Sequence, residues 1–178
     1  MDLGVISVRY ARALLKAALA DRQEDELYRD MQKLSQSFLE VPELRFTIDN
    51  PMLVKDKKQA LLETACGPDA SLLAKRFIAL VLKEDRGNAL QFMAASYITL
   101  YRKHKNITRG KLITATSVSL EMKNRMKRLV ENKTNGSVEF NTEVDKDIIG
   151  GFILEYDTYR MDATVKSKLR RIAAELKK

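Results

Sequence analysis

The spacing of apolar residues changes once along this chain, and that change restricts its fold more than any other feature. Up to about residue 105 apolar side chains recur every three or four positions; from Ile107 onwards they alternate. A repeat near 3.6 puts an apolar stripe on a helix, whereas a repeat of 2 puts an apolar face on a strand. The expectation is an α+β protein, mainly α. A six-helix bundle over residues 1–105 is followed by a small α/β domain over residues 106–178.

In the first part, Val8, Leu15 and Leu19 recur at seven and four. Leu27, Met31, Leu34 and Phe38 follow at four, three and four, until Pro42 stops the helix. A short helix is expected over Glu43–Ile48, ended by Asn50-Pro51. Another runs from Asp56 to Cys66, with Gly67 as its C-terminal cap. Asp69 is placed to cap a fifth helix through Leu82, and Gly87-Asn88 separates it from a sixth reaching about Lys103. Short turns between helices suit a bundle.

After Ile107, alternation through Val118 predicts a strand. Ser119 then caps a helix carrying Met122, Met126, Leu129 and Val130. Asn135-Gly136 reads as a turn. Val138, Phe140, Thr142 and Val144 alternate over a second strand, and Phe152–Asp157 with Thr158–Met161 reads as a hairpin. Asp162-x-Thr164 caps a last helix presenting Val165, Leu169, Ile172, Ala173 and Leu176. The order is β-α-β-β-β-α. The Gly150-Gly151 pair just before a strand marks a bend or a close backbone approach.

Composition narrows the function. No apolar run approaches the roughly 20 residues that span a bilayer, and an acidic Met1-Asp2-Leu3-Gly4 start is unlike a signal peptide. Cys66 is the only cysteine, which leaves no internal disulfide and no cysteine zinc site; it reads as a small buried hydrophobe. His104 is the only histidine, in an Arg102-Lys103-His104-Lys105 cluster, with no partner ligand beside it. No phosphate loop, nucleophile elbow or calcium loop is present. No cofactor, metal or catalytic residue is expected, and the chain reads as a non-enzyme. Glu24-Asp25-Glu26 reads as a structural helix start, where acids meet the positive end of the dipole. Net charge is +8. Residues up to Lys105 contribute 17 basic and 14 acidic groups and the rest 15 and 10, so the two parts carry +3 and +5. This mild excess suits an anionic partner. An RNA-binding factor is the alternative, but no aromatic pair sits on a strand in an RNA-recognition pattern.

The wheel of the first helix says more. Arg9, Arg12 and Lys16 share a stripe of about 60°, and apolar residues fill about 260° of the remainder. A surface helix needs an apolar arc of only a little over ~100°. In the fifth helix Lys75, Arg76 and Lys83 form the polar stripe, while Leu73, Phe77, Ile78, Leu80, Val81 and Leu82 cover about 200°. Two such helices either line a groove for an amphipathic helix from elsewhere or are simply well buried; the wheels do not choose.

Several segments, taken in order, resemble one family. They are Arg9-Tyr10-Ala11-Arg12-Ala13-Leu14, Asn50-Pro51-Met52-Leu53 with Lys57 or Lys58 soon after, and Leu82-Lys83-Glu84-Asp85-Arg86. The strongest is Asp145-x-x-Ile148-Ile149-Gly150-Gly151-Phe152-x-Leu154, followed by Asp162-x-Thr164 and Lys168-Leu169. The whole chain resembles the delta subunit of bacterial F-type ATP synthase, the counterpart of the mitochondrial oligomycin-sensitivity-conferring protein. It departs from the family pattern at Asp85, at Thr116-Ser117-Val118-Ser119-Leu120, at Tyr156-Asp157 and at Asp162-Ala163-Thr164.

The resemblance implies a non-catalytic stator subunit that links the peripheral stalk to the top of the catalytic head, so that proton-driven rotation yields ATP. It implies a groove between the first and fifth helices for the N-terminal helix of an alpha subunit. Its walls would be Tyr10, Ala13, Leu14, Ala17, Leu73, Phe77 and Leu80, with Arg9 and Arg76 at the rim. The C-terminal domain would hold the b subunits of the stalk. Lys166, Lys168, Arg170 and Arg171 are candidates for that contact, or else a solvated face near a helix end. The implied location is the cytoplasmic side of the bacterial inner membrane, reached only through partners. The isolated chain is expected to be a monomer without nucleic acid.

Overall fold

The computed structural model describes residues 3–134, 136–156 and 158–176. The chain divides into two compact units, Met1–Lys103 and His104–Lys178. Among the described residues there are eight α-helices and four strands, a mainly helical α+β architecture.

The first unit contains α1 (Leu3–Ala20), α2 (Glu24–Glu40), α3 (Glu43–Asp49), α4 (Lys55–Cys66), α5 (Leu72–Lys83) and α6 (Leu90–His104), with a 3-10 turn at Gly87–Ala89. α2 is central and packs on α1, α3, α4 and α5. Its four-three-four apolar series, Leu27, Met31, Leu34 and Phe38, is buried, as a stripe facing neighbouring helices must be. Leu62, Cys66, Ile78, Val81, Leu90 and Met93 complete this core. α4 ends at Gly67, whose φ of 101° suits a residue without a Cβ.

α5 does not start from Asp69. Its cap is Ser71, whose Oγ accepts the Ala74 N–H at 3.2 Å. Ser71 is fixed from outside its own helix, because the buried carboxylate of Asp30 on α2 accepts the Ser71 N–H at 2.9 Å. The contact ties the start of α5 to the central helix. Three tyrosines, scattered in sequence, also converge. Tyr28 and Tyr101 stack with centroids 4.1 Å apart, Tyr101 donates to Asp25 at 2.8 Å, and Tyr97 donates to the Glu24 carbonyl at 3.2 Å. The acidic start of α2 is thereby held against α6.

The second unit is a four-stranded sheet in the order β2-β1-β3-β4. β1 (Ile107–Thr114) lies parallel to β2 (Ser137–Val144) and antiparallel to β3 (Phe152–Tyr156), which pairs in turn with β4 (Tyr159–Asp162). α7 (Leu120–Thr134) makes the crossover that a parallel pair requires. Its Met126 and Val130 pack on Leu112, Val138, Leu154 and Tyr156. β1 stops at Thr114 rather than Val118: the Thr114 hydroxyl donates to the Thr116 carbonyl at 2.8 Å, turning the chain towards the Ser119 cap of α7. Asn135 and Asp157, in the two expected turns, lie outside the described residues.

The glycine pair joins sheet to helix. Gly151 has φ 79°, and a Cβ there would sit 2.2 Å from the Ala163 carbonyl oxygen. The Gly150 carbonyl accepts the Val165 N–H at 3.0 Å, at the start of α8 (Val165–Glu175). Thr164 caps α8 through the Ser167 N–H at 3.1 Å. Asp162 accepts from the Thr164 N–H at 3.0 Å and the Ser167 hydroxyl at 2.7 Å, and these bonds hold its carboxyl below the usual range. The apolar face expected on α8 is there but covers no core. α8 has no buried residue, because α7 already supplies the helical side chains packed on the sheet, whereas α8 meets the 3-10 turn Lys146–Ile148.

Candidate partner-binding groove

α1 buries Ser7, Ala11, Leu14, Leu15 and Ala18, the spacing of one helical face. Tyr10, Ala13 and Ala17 lie beside that face, and the two alanines are exposed. α5 buries Ala74, Phe77, Ile78, Val81 and Leu82, leaving Leu73 half-buried and Leu80 49% exposed beside them. Between the two helices runs an open cleft of about 520 Å³.

Arg9, Tyr10, Ala13, Leu14, Ala17, Leu73, Arg76, Phe77 and Leu80 line it. These are the nine residues that the resemblance points to, and the fold brings all of them together. Leu14 and Phe77 form the floor and belong also to the core. Arg9 and Arg76 are exposed guanidiniums on the rim. The lining offers apolar area, two small residues where another backbone can approach closely, and positive charge at the edge. It holds no carboxylate, thiol or imidazole. Its only ionisable groups are the Tyr10 phenol and the two arginines.

One residue of this region carried no role in the sequence. Arg86, just after α5, donates to the Tyr10 hydroxyl at 2.5 Å and places its guanidinium 5.2 Å from the Tyr10 ring centroid. The two are 76 residues apart, so no local pattern pairs them. Asp85 beside it has φ 53° and pairs with Lys55 at 2.7 Å; both side chains are exposed, so that pair contributes little. Lys166, Lys168, Arg170 and Arg171 all lie on α8 in the second unit: Lys166 is half-buried, the others are exposed, and Arg171 stands 4.0 Å from Glu175. Elsewhere, burial, reinforced by the charges of Asp30 and Glu63, pushes the Cys66 thiol up to about 12, which leaves it inert as a nucleophile.

Among the described residues, no group of three His, Cys, Asp or Glu is placed to hold a metal, and no helix is long and apolar enough to cross a membrane. An open apolar groove between two helices of a bundle is the kind of surface on which an amphipathic helix can dock. The family model for the ATP synthase delta (OSCP) subunit matches residues 6–176. The chain is 48% identical over 173 residues to ATP synthase subunit delta of Phocaeicola vulgatus, covering 97% of this chain and 94% of that one. It is 41% identical over 174 residues to the subunit of the same name from Bacteroides thetaiotaomicron, with the same coverage. Its fold is similar to a chain of the Toxoplasma gondii mitochondrial ATP synthase hexamer, with a TM-score of 0.66, 18% identity and 97% of both chains covered. The chain belongs to the ATP synthase delta (OSCP) subunit family. It is a non-catalytic stator subunit, a peripheral component of its complex.

Proposed function

We propose that the α1–α5 groove receives the N-terminal helix of an ATP synthase alpha subunit, while the second unit holds the ends of the peripheral-stalk b subunits. In this reading the subunit works as a monomer on the cytoplasmic side of the bacterial inner membrane, attached only through its partners. The observation that supports it is the groove itself: nine residues of two helices around one apolar cleft, with cations only at the rim. An amphipathic helix laid there buries its apolar face against Leu14, Phe77 and Leu80, and Ala13 and Ala17 leave room for its backbone.

The mechanical demand sets the affinity. A tether that bears torque must outlast many turnovers. Nanomolar binding corresponds to about 12 kcal/mol, and interfaces of that strength commonly bury on the order of 1,600 Å². The rim arginines, being exposed, add about 0–1 kcal/mol each; apolar burial supplies the rest. Calorimetric titration of the full chain with a peptide of the host's alpha-subunit N-terminus, at two salt concentrations, tests this. Tight 1:1 binding that hardly changes with salt is expected. No binding at either salt overturns the groove assignment, and binding that weakens steeply with salt points to a polyanion instead.

A further inference from the structure

The end of α5 is built to aim one side chain. Lys83 is the last helical residue, Glu84 the cap, and Asp85 follows with φ 53°. The Asp85 N–H bonds back to the Leu82 carbonyl at 3.2 Å, and the Arg86 N–H to the Val81 carbonyl at 3.0 Å. Those two bonds close a Schellman motif, which fixes the heading of the second residue past the cap. That residue is frequently apolar and folds back onto the helix it has just left. Here it is Arg86, and its side chain crosses to α1.

Arg86 is half-buried and meets Tyr10 twice, through the hydrogen bond from Nη1 to the phenol oxygen and through the ring face. Tyr10 lines the groove; Arg86 does not. The next α1 residues along the cleft are Ala13, Leu14 and Ala17, all smaller than a tyrosine. The place of the Tyr10 ring therefore decides the shape of the cleft on the α1 side. A tyrosine can turn among staggered positions about its Cα–Cβ bond. A ring held both at its face and at its hydroxyl keeps one of them.

We infer that Arg86 is a positioning residue for the groove: it fixes the Tyr10 ring as a wall against which the apolar face of a docked helix packs, and does not itself touch that helix. The inference rests on the groove reading above and adds the residue that presets the shape of the site. A wall set in advance spares the ordering of a side chain on binding, so the gain appears as affinity.

The test is a double-mutant cycle on the full chain, read by calorimetric titration with the alpha-subunit N-terminal peptide. The variants are Arg86→Ala, Tyr10→Ala, the two together, and Asp85→Gly. The last loses the ion pair with Lys55 but keeps a residue at ease with a positive φ. Circular dichroism establishes that each is folded at the titration temperature; Arg86→Met, which keeps the aliphatic stem, takes the place of Arg86→Ala if that variant does not fold. Arg86→Ala should weaken binding roughly tenfold and Tyr10→Ala by at least as much. The double variant should match Tyr10→Ala to within about twofold, and Asp85→Gly should bind as wild type does. If Arg86→Ala costs the same tenfold when Tyr10 is already gone, Arg86 meets the docked helix directly and the positioning role is overturned. It is overturned also if Arg86→Ala binds like wild type, or if Asp85→Gly loses as much as Arg86→Ala. A second readout needs no peptide and is not moved by a mere loss of stability: the χ1 couplings of Tyr10 in tyrosine-labelled protein. One rotamer is expected in wild type and averaging in Arg86→Ala. If wild type binds no peptide, the groove reading falls, and these couplings decide on Arg86 alone: averaging upholds its hold on Tyr10, and a single rotamer in both proteins refutes it.

Discussion

Arg86 Nη1 donates to the Tyr10 hydroxyl at 2.5 Å while its guanidinium lies over the same ring, 5.2 Å from the centroid. The turn that follows α5 is thus fastened to the middle of α1, at a groove-lining side chain. Tyr10→Phe removes only the hydrogen bond and should destabilise the first unit by about 0.5–1.5 kcal/mol. Arg86→Ala also removes the ring contact and should add about 0.5–1 kcal/mol to that. Arg86→Lys should rescue little, since an ammonium lacks the planar face. Urea unfolding of the three variants checks the order.

Ala13 lies in the groove but is exposed, so its neighbours do not depend on it for packing. Ala13→Arg should change stability by no more than about 0.5 kcal/mol while abolishing capture of the alpha-subunit peptide in the titration. Leu14→Ala at the groove floor would be a poor substitute test: it would empty a core position at a cost of about 2–5 kcal/mol and confound folding with binding. Unchanged peptide affinity in Ala13→Arg would take α1 out of the interface.

The adjacent glycines should differ sharply. Gly151→Ala meets a backbone carbonyl at 2.2 Å with φ at 79°, whereas Gly150→Ala meets only Val165 Cγ2, at 3.2 Å. A backbone oxygen cannot step aside, so Gly151→Ala should cost about 3 kcal/mol or more and Gly150→Ala about 1 kcal/mol. Amide hydrogen exchange at Ile153 and Leu154 on β3 reads the loss within the second unit. Equal protection in the two variants would contradict the close approach.

Alkaline pH should weaken the first unit through Cys66. The unfolded thiol ionises above roughly pH 8.5, whereas the folded one keeps its proton to about 12. Between those values the folded state holds more protons, so this contribution is complete below about pH 8.5 and is lost as pH rises. Burial also raises the Tyr97 phenol, which acts in the same direction. Cys66→Ala should therefore flatten the decline between pH 9 and 10.5 without abolishing it. A thiol reagent should leave the folded protein unmodified at pH 8 and react once urea unfolds it.

Most of the elements, and the faces they present, follow from spacing alone. Periodicity is local: it decides that Leu27, Met31, Leu34 and Phe38 share one side of a helix and that the spacing changes to 2 after Ile107. The residues around the groove were legible for another reason. The wide apolar arcs of the two helices left a groove and a well-filled core equally open, and the family resemblance pointed to these positions. Tertiary structure decided what depends on pairing over distance. Asp30 on α2 selects Ser71 over Asp69 as the start of α5. Arg86 reaches Tyr10, and Tyr28 meets Tyr101, across more than 70 residues. The central place of β1, parallel on one side and antiparallel on the other, follows from strand registers that no single strand contains. The sequence shows α8 to be amphipathic, but only the fold reveals that α7 has taken the sheet and left the apolar face of α8 uncovered. The reason is physical: neighbours three or four residues apart are held by covalent geometry, whereas which apolar faces meet is settled by competition among all of them for one core.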